Sequence, residues 1–100
     1  MTRGTTPTHS FVLPFAADMI EECSIAYSQK GQTRLIKRTE DCILEENIVS
    51  TKLSQQETLG FDECVYVEIQ LKVKLKGSEE VLATDIFKKA VKDILDVEEL

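Results

Sequence analysis

Between residues 64 and 76 the chain alternates without interruption. Val65, Val67, Ile69, Leu71, Val73 and Leu75 hold the odd positions, and Tyr66, Glu68, Gln70, Lys72, Lys74 and Lys76 hold the even ones. Successive side chains of a strand point to opposite faces, so this pattern predicts a strand with one apolar and one polar side. Burying each apolar side chain is worth roughly 1.5–3 kcal/mol, on the order of 10 kcal/mol gross for the face. A slip of one residue would turn the whole set to water, which fixes the register. Clean alternation also favours an antiparallel sheet with one wet face.

The same period appears at 20–28, where Cys23, Ile25 and Tyr27 share one face and Ser24, Ala26 and Ser28 the other. Gln29 to Gln32, with Gly31 inside it, reads as a hairpin turn into a partner strand at Thr33–Arg38. A second hairpin joins 42–44 to 48–53, with Glu45, Glu46 and Asn47 as its turn and Asn as the residue that tolerates a left-handed backbone. Ser54 and Glu57 stand at capping-box spacing and predict a short helical turn ending at Gly60. Ser10–Phe15 is β-rich, and Pro14 confines it to an edge or a strand end. Ala16–Met19 reads as a turn, with room for one helical turn near Asp18.

The segment after the Lys76–Glu79 turn reads two ways. Leu82, Ile86, Ala90 and Ile94 recur every fourth residue, with Phe87, Val91 and Leu95 beside them, an amphipathic helix pattern. As a strand, Ala83, Asp85, Phe87, Lys89 and Val91 share a face that carries two charges. A mainly antiparallel all-β sandwich and an α+β fold with a helix over 80–95 therefore both stand at this point. Residues 1–8 read as a flexible arm, 9–96 as a single domain and 97–100 as a frayed acidic tail.

Composition narrows the functional classes. One hundred residues make one domain, and 42% hydrophobic with 30% charged residues is ordinary for a globular chain. The net charge is −6, and the one basic cluster, Arg34, Lys37 and Arg38, runs directly into Glu40 and Asp41. Phosphate backbones demand clustered cations, so nucleic acid is not an expected partner. The N-terminal residues are polar and the apolar runs are short, so neither a secretory signal nor a membrane span is expected. Cys23, Cys42 and Cys64 are widely spaced, with no C-x-x-C pair, and read as small reduced core residues of a cytoplasmic protein.

No catalytic, cofactor or metal constellation emerges. His9 is the single histidine and stands beside the arm. The acidic pairs Glu21–Glu22, Glu40–Asp41 and Glu45–Glu46 are sequence neighbours, which on strands point apart. No nucleophile, zinc or phosphate-loop motif occurs. The chain reads as a non-enzyme with no cofactor, and dispersed carboxylates speak against a metal-dependent nuclease. The polar side of the 64–76 strand, Tyr66, Glu68, Gln70, Lys72 and Lys74, is the candidate interaction face. Exposed strand edges offer a second route, to a protein partner or to self-association.

Several stretches together carry a resemblance. The opening MTRGTTPTH, the Leu13–Phe15 segment, Ile25–Gln29 with its Lys-Gly turn, Leu53–Leu59 and Val67–Leu71 resemble a family of short, uncharacterised proteins from Firmicutes. That family is associated with prophages and other mobile regions of Clostridia-like gut bacteria. The resemblance extends to about residue 95. It implies an immunoglobulin-like β-sandwich whose last segment is a strand, although Lys88, Lys89 and Ala90 stand where relatives carry β-branched residues. The short Gly turn before that segment also favours a hairpin. The implied role is a structural head, tail or accessory component of a phage particle, or a small regulatory module directed at a host or phage partner. No site residue follows from it.

Overall fold

The computed structural model describes all residues from Met1 to Leu100. In chain order the strands are β1 (Thr8–Val12), β2 (Ile20–Gln29), β3 (Gln32–Arg38), β4 (Cys42–Glu45), β5 (Ile48–Lys52), β6 (Val67–Leu75), β7 (Val81–Ala83) and β8 (Phe87–Lys89). One helical turn, α1 (Gln55–Leu59), and two 3₁₀ turns, Ala17–Met19 and Thr39–Asp41, join them. The strands form a three-stranded sheet in the order β1-β5-β4 and a five-stranded sheet in the order β3-β2-β6 with β7 and β8 outermost. Every strand pairing is antiparallel.

The alternating side chains build the core. Val67, Ile69, Leu71 and Val73 of β6 are buried with Cys23, Ile25 and Tyr27 of β2 and Val49 of β5. Leu13, Ala17, Leu53, Phe61 and Val91 fill the ends. The ring of Phe61 lies 5.9 Å from that of Tyr27. The long strand is shorter than its pattern suggests, Val67–Leu75 rather than 64–76. Cys64 adopts φ 60° and gives its amide to the carbonyl of Val91, so Val65 and Tyr66 belong to the loop before the strand.

Turn chemistry explains the hairpins. Lys30 and Gly31, at φ 52° and 74°, are the two central residues of the β2–β3 turn, the left-handed pair that matches strand twist. Gln29 is not part of that turn. It ends β2 fully buried, donates to the carbonyls of Asp62 (2.9 Å) and Val65 (3.3 Å), and accepts from the Asp62 amide (2.8 Å). In the β4–β5 turn the left-handed residue is Glu46, and Asn47 instead donates its side chain to the Leu13 carbonyl. The capping box forms as its spacing suggests, with Ser54 Oγ accepting from the Glu57 amide and the Glu57 carboxylate accepting from the Ser54 amide.

The last segment is strand, and the alternative helix over 80–95 does not form. β7 pairs with Lys72–Lys74 and β8 with Val67–Ile69 on the same side of β6. The register moves by one residue between them, so 81–89 is one edge strand broken by a bulge at 84–86. Thr84 holds the bulge in place. Its amide donates to the Leu71 carbonyl (2.9 Å), its hydroxyl accepts from the Leu71 amide (3.1 Å), and its carbonyl accepts from the Gln70 side chain (2.8 Å). A helix here would have left the outer backbone of β6 without partners, which a strand supplies. Residues 1–3, read as part of an arm, lie beside 90–93. Thr2 bridges Lys92 in parallel, and Arg3 binds Asp93 and the Leu59 carbonyl at 3.0 Å each.

Candidate functional site: the open side of the sandwich

The two sheets meet at two lateral sides that differ in construction. On one side the chain itself crosses from β3 to β4 through Thr39–Asp41. The Thr39 hydroxyl accepts from the Cys23 amide and donates to the Cys23 carbonyl, stitching this crossing to β2. Nearby, Lys37 of β3 reaches inward and donates to both carboxylate oxygens of Glu57 in α1, at 2.8 and 2.9 Å. Burial raises the Glu57 pKa, but bonds from Lys37 and the Ser54 amide outweigh it, and the net shift is downward.

No connection crosses the other side. There β1, the outer strand of the small sheet, faces β7 and β8, the outer strands of the large one. A cavity of about 430 Å³ opens between Thr8–Val12 and Phe87–Lys89, with Ile69 and Thr84 at its floor. A second cavity, about 300 Å³ and mostly apolar, continues it between Leu13–Phe15 and Leu82–Thr84. Phe11 and Phe87 span the gap with ring centroids 5.8 Å apart. Along this edge Val81 (55% exposed), Leu82 (41%), Ile86 (53%) and Phe87 (47%) meet water. Four large apolar side chains within seven residues are exposed along this edge, on both faces of the strand, and exposed apolar surface of this kind marks interaction sites.

The predicted interaction face lies next to this edge. Glu68, Gln70, Lys72 and Lys74 line the outer surface of the large sheet, and Tyr66 stands exposed just before it. Gln70 is committed to Thr84 and Lys74 lies 3.7 Å from Glu21. Lys72 and Lys74 also border a polar depression with Glu22, Arg38 and Glu40. Periodicity singled out this face and not the apolar edge beside it, because alternation reports which face a side chain takes and not whether its strand is outermost.

The titratable groups are arranged for structure. His9, in β1, shares a 2.7 Å hydrogen bond between its Nδ1 and the hydroxyl of buried Tyr27. Burial, then the charge of Lys89 and the N-terminal ammonium, lowers the His9 pKa. Burial raises that of Tyr27. The thiols of Cys23 and Cys42 face each other between the sheets. Burial, then its neighbour Cys23, pushes Cys42 up to about 12, and burial raises Cys23 as well. Thiols held protonated are poor nucleophiles. Cys64, read as a core residue, is instead exposed. No three or more His, Cys, Asp or Glu side chains converge as metal ligands. No helix is long and apolar enough to cross a membrane.

Two sheets in this order, one face-to-face core and an interrupted final edge strand define an immunoglobulin-like β-sandwich. Comparison with solved structures agrees. The immunoglobulin-like domain of mouse leukocyte-associated immunoglobulin-like receptor 1, crystallised as a strand-swapped dimer, matches with a TM-score of 0.51 at 15% identity. The match covers 94% of this chain and 84% of that one, and at this identity the likeness is one of fold. No family model and no curated protein matches the chain.

Proposed function

We propose that the chain is a non-enzymatic interaction domain that meets a protein partner, or a second copy, through the open β1/β7–β8 side. The observation that carries this reading is the edge strand 81–89, whose outer backbone has no partner and whose apolar side chains stand in water. A strand in that state is a template for another strand. The structurally similar receptor domain was crystallised as a strand-swapped dimer, which supports self-association as one form the proposed contact takes. The face formed by Tyr66, Glu68, Gln70, Lys72 and Lys74 extends the proposed surface. The resemblance to prophage-associated proteins supports a setting in a phage particle or the bacterial cytoplasm, as a head, tail or accessory component.

Calorimetric titration of the purified chain with the purified products of neighbouring genes tests the reading. Binding should be lost in Leu82→Lys and retained in Ile36→Lys, which places the same charge on the opposite edge of the sheet. A partner that is a capsid or tail protein supports the structural setting, and a repressor or recombinase supports the regulatory one. Equal binding by both variants overturns the edge assignment. Substrate turnover that depends on Cys23 or Cys42 overturns the non-enzymatic reading.

A further inference from the structure

We infer that the partner of this edge is a second copy of the chain, paired antiparallel along 80–89 about a two-fold axis between Thr84 and Asp85. The inference rests on the interaction reading above and specifies it. Its basis is a self-complementary sequence, EEVLATDIFKK over 79–89, acidic at one end and basic at the other, with apolar residues on either side of a polar centre at Thr84 and Asp85.

The backbone restricts the register, and the charged ends choose within it. Leu71 takes the Thr84 amide on its carbonyl, so its polar groups face the edge strand, and alternation along β6 makes Val67, Ile69 and Val73 do the same. Their partners Lys89, Phe87 and Leu82 therefore point their amides and carbonyls back into the sheet. Val81, Ala83, Ile86 and Lys88 are left with theirs aimed outward. The side chains of Leu82 and Phe87, opposite Val73 and Ile69, take the core face, and those of Val81 and Lys88, opposite Lys74 and Glu68, take the outer face.

An added antiparallel strand must set outward residues against outward ones and match faces. Between two copies of this edge the arrangement centred on the bulge does both over 80–83 and 86–89. It sets Val81 against Lys88, Ala83 against Ile86, Leu82 against Phe87 and Glu80 against Lys89, each pair formed twice by symmetry. Glu79 then lies diagonal to Lys88. Leu82 meets Phe87, Ala83 meets Ile86 and the Glu80 carboxylate meets the Lys89 ammonium, while Val81 lies along the stem of Lys88 and Asp85 faces Thr84 at the axis. A shift of one residue would set Leu82 of the core face against Ile86 of the outer face. The axis also lays the two bulges side by side, so the interruption that would spoil pairing with a regular strand is matched by its own copy. An isologous contact of this kind closes at two copies and does not propagate.

Charge reversal tests the register. Light scattering should show the wild-type mass rising with concentration from 11.3 kDa toward twice that value. Glu80→Lys or Lys89→Glu alone places like charges together at two symmetric points and should weaken dimerisation by roughly 10-fold or more. The double reversal should restore it, and mixing the two single variants should yield a heterodimer in preference to either homodimer. Both positions are solvent-exposed, and unchanged urea midpoints would show the variants folded. A wild-type mass that stays at one copy overturns the second-copy inference, while binding of a different protein in the titration above would leave the interaction reading standing. A dimer insensitive to the reversals, or one the double variant fails to restore, overturns the register.

Discussion

The five-stranded sheet ends in two edges, β3 on one side and β7–β8 on the other, and they handle the same exposed backbone differently. β3 carries Arg34, Lys37 and Arg38 within five residues, and its exposed pair, Arg34 and Arg38, disfavours pairing with its own copy. Two of these charges are also engaged, Lys37 by Glu57 at 2.8 Å and Arg34 by Asp62 at 2.7 Å. β7–β8 carries no cationic row and one central charge, Asp85. Its other charges stand at the two ends with opposite signs, and Val81, Leu82, Ile86 and Phe87 lie between. The contrast teaches that an edge is closed or opened by the order of its charges as much as by their number.

The comparison breaks most visibly at Leu82. Leu82→Lys puts an ammonium in the middle of the open edge and should hold the chain at the mass of one copy at every concentration in light scattering. Ile36→Lys on β3 should leave the mass–concentration curve unchanged. Next in size is the clasp on the guarded side. Lys37→Ala leaves the partly enclosed Glu57 carboxylate without its ammonium partner, and urea denaturation should show a loss of about 1 kcal/mol. On the open side, Tyr27→Phe removes the hydroxyl that meets His9 and should cost about 1 kcal/mol by the same measurement.

The smallest effect is a pH dependence in which both sides act in one direction. The folded His9 pKa lies below its ordinary 6.5, so the unfolded chain binds that proton more readily. Its contribution is complete above about pH 6.5 and is lost as pH falls toward the folded value. Glu57 is lowered from 4.5, so its contribution is present above that pH and is lost as pH falls through the folded value. Urea midpoints should therefore be level between pH 7 and 8 and decline in two acid steps. Lys37→Ala should shrink the lower step and leave the upper one.

Local signals carried much of the fold. Strands β2 and β6, the Lys30–Gly31 hairpin and the Ser54–Glu57 capping box depend on residues within a few positions of one another, and period and turn chemistry expose them. The buried polar links do not. Gln29 reaches Asp62 across 33 residues, Lys37 reaches Glu57 across 20 and His9 reaches Tyr27 across 18. Alternation puts Lys37 on the Leu35 side of β3, but nothing within the strand points to Glu57 as its partner. The segment 80–95 read as helix or strand because an outermost strand with a bulge is wet on one side and changes phase halfway. That same exposure gives it the surface on which the interaction reading rests. The polar face from Tyr66 to Lys74 was legible because it belongs to the most regular strand, and its neighbour was not.

Hydrogen exchange measured at low and high protein concentration tests the distinction between the two edges most directly. The outward amides of Val81, Ala83, Ile86 and Lys88 should exchange rapidly in dilute solution and become protected as concentration rises, while the outward amides of β3 stay fast throughout. Protection of β3 instead, or amides at 81–88 that exchange at one rate regardless of concentration, would contradict the assignment of β7–β8 as the open edge that a second copy completes.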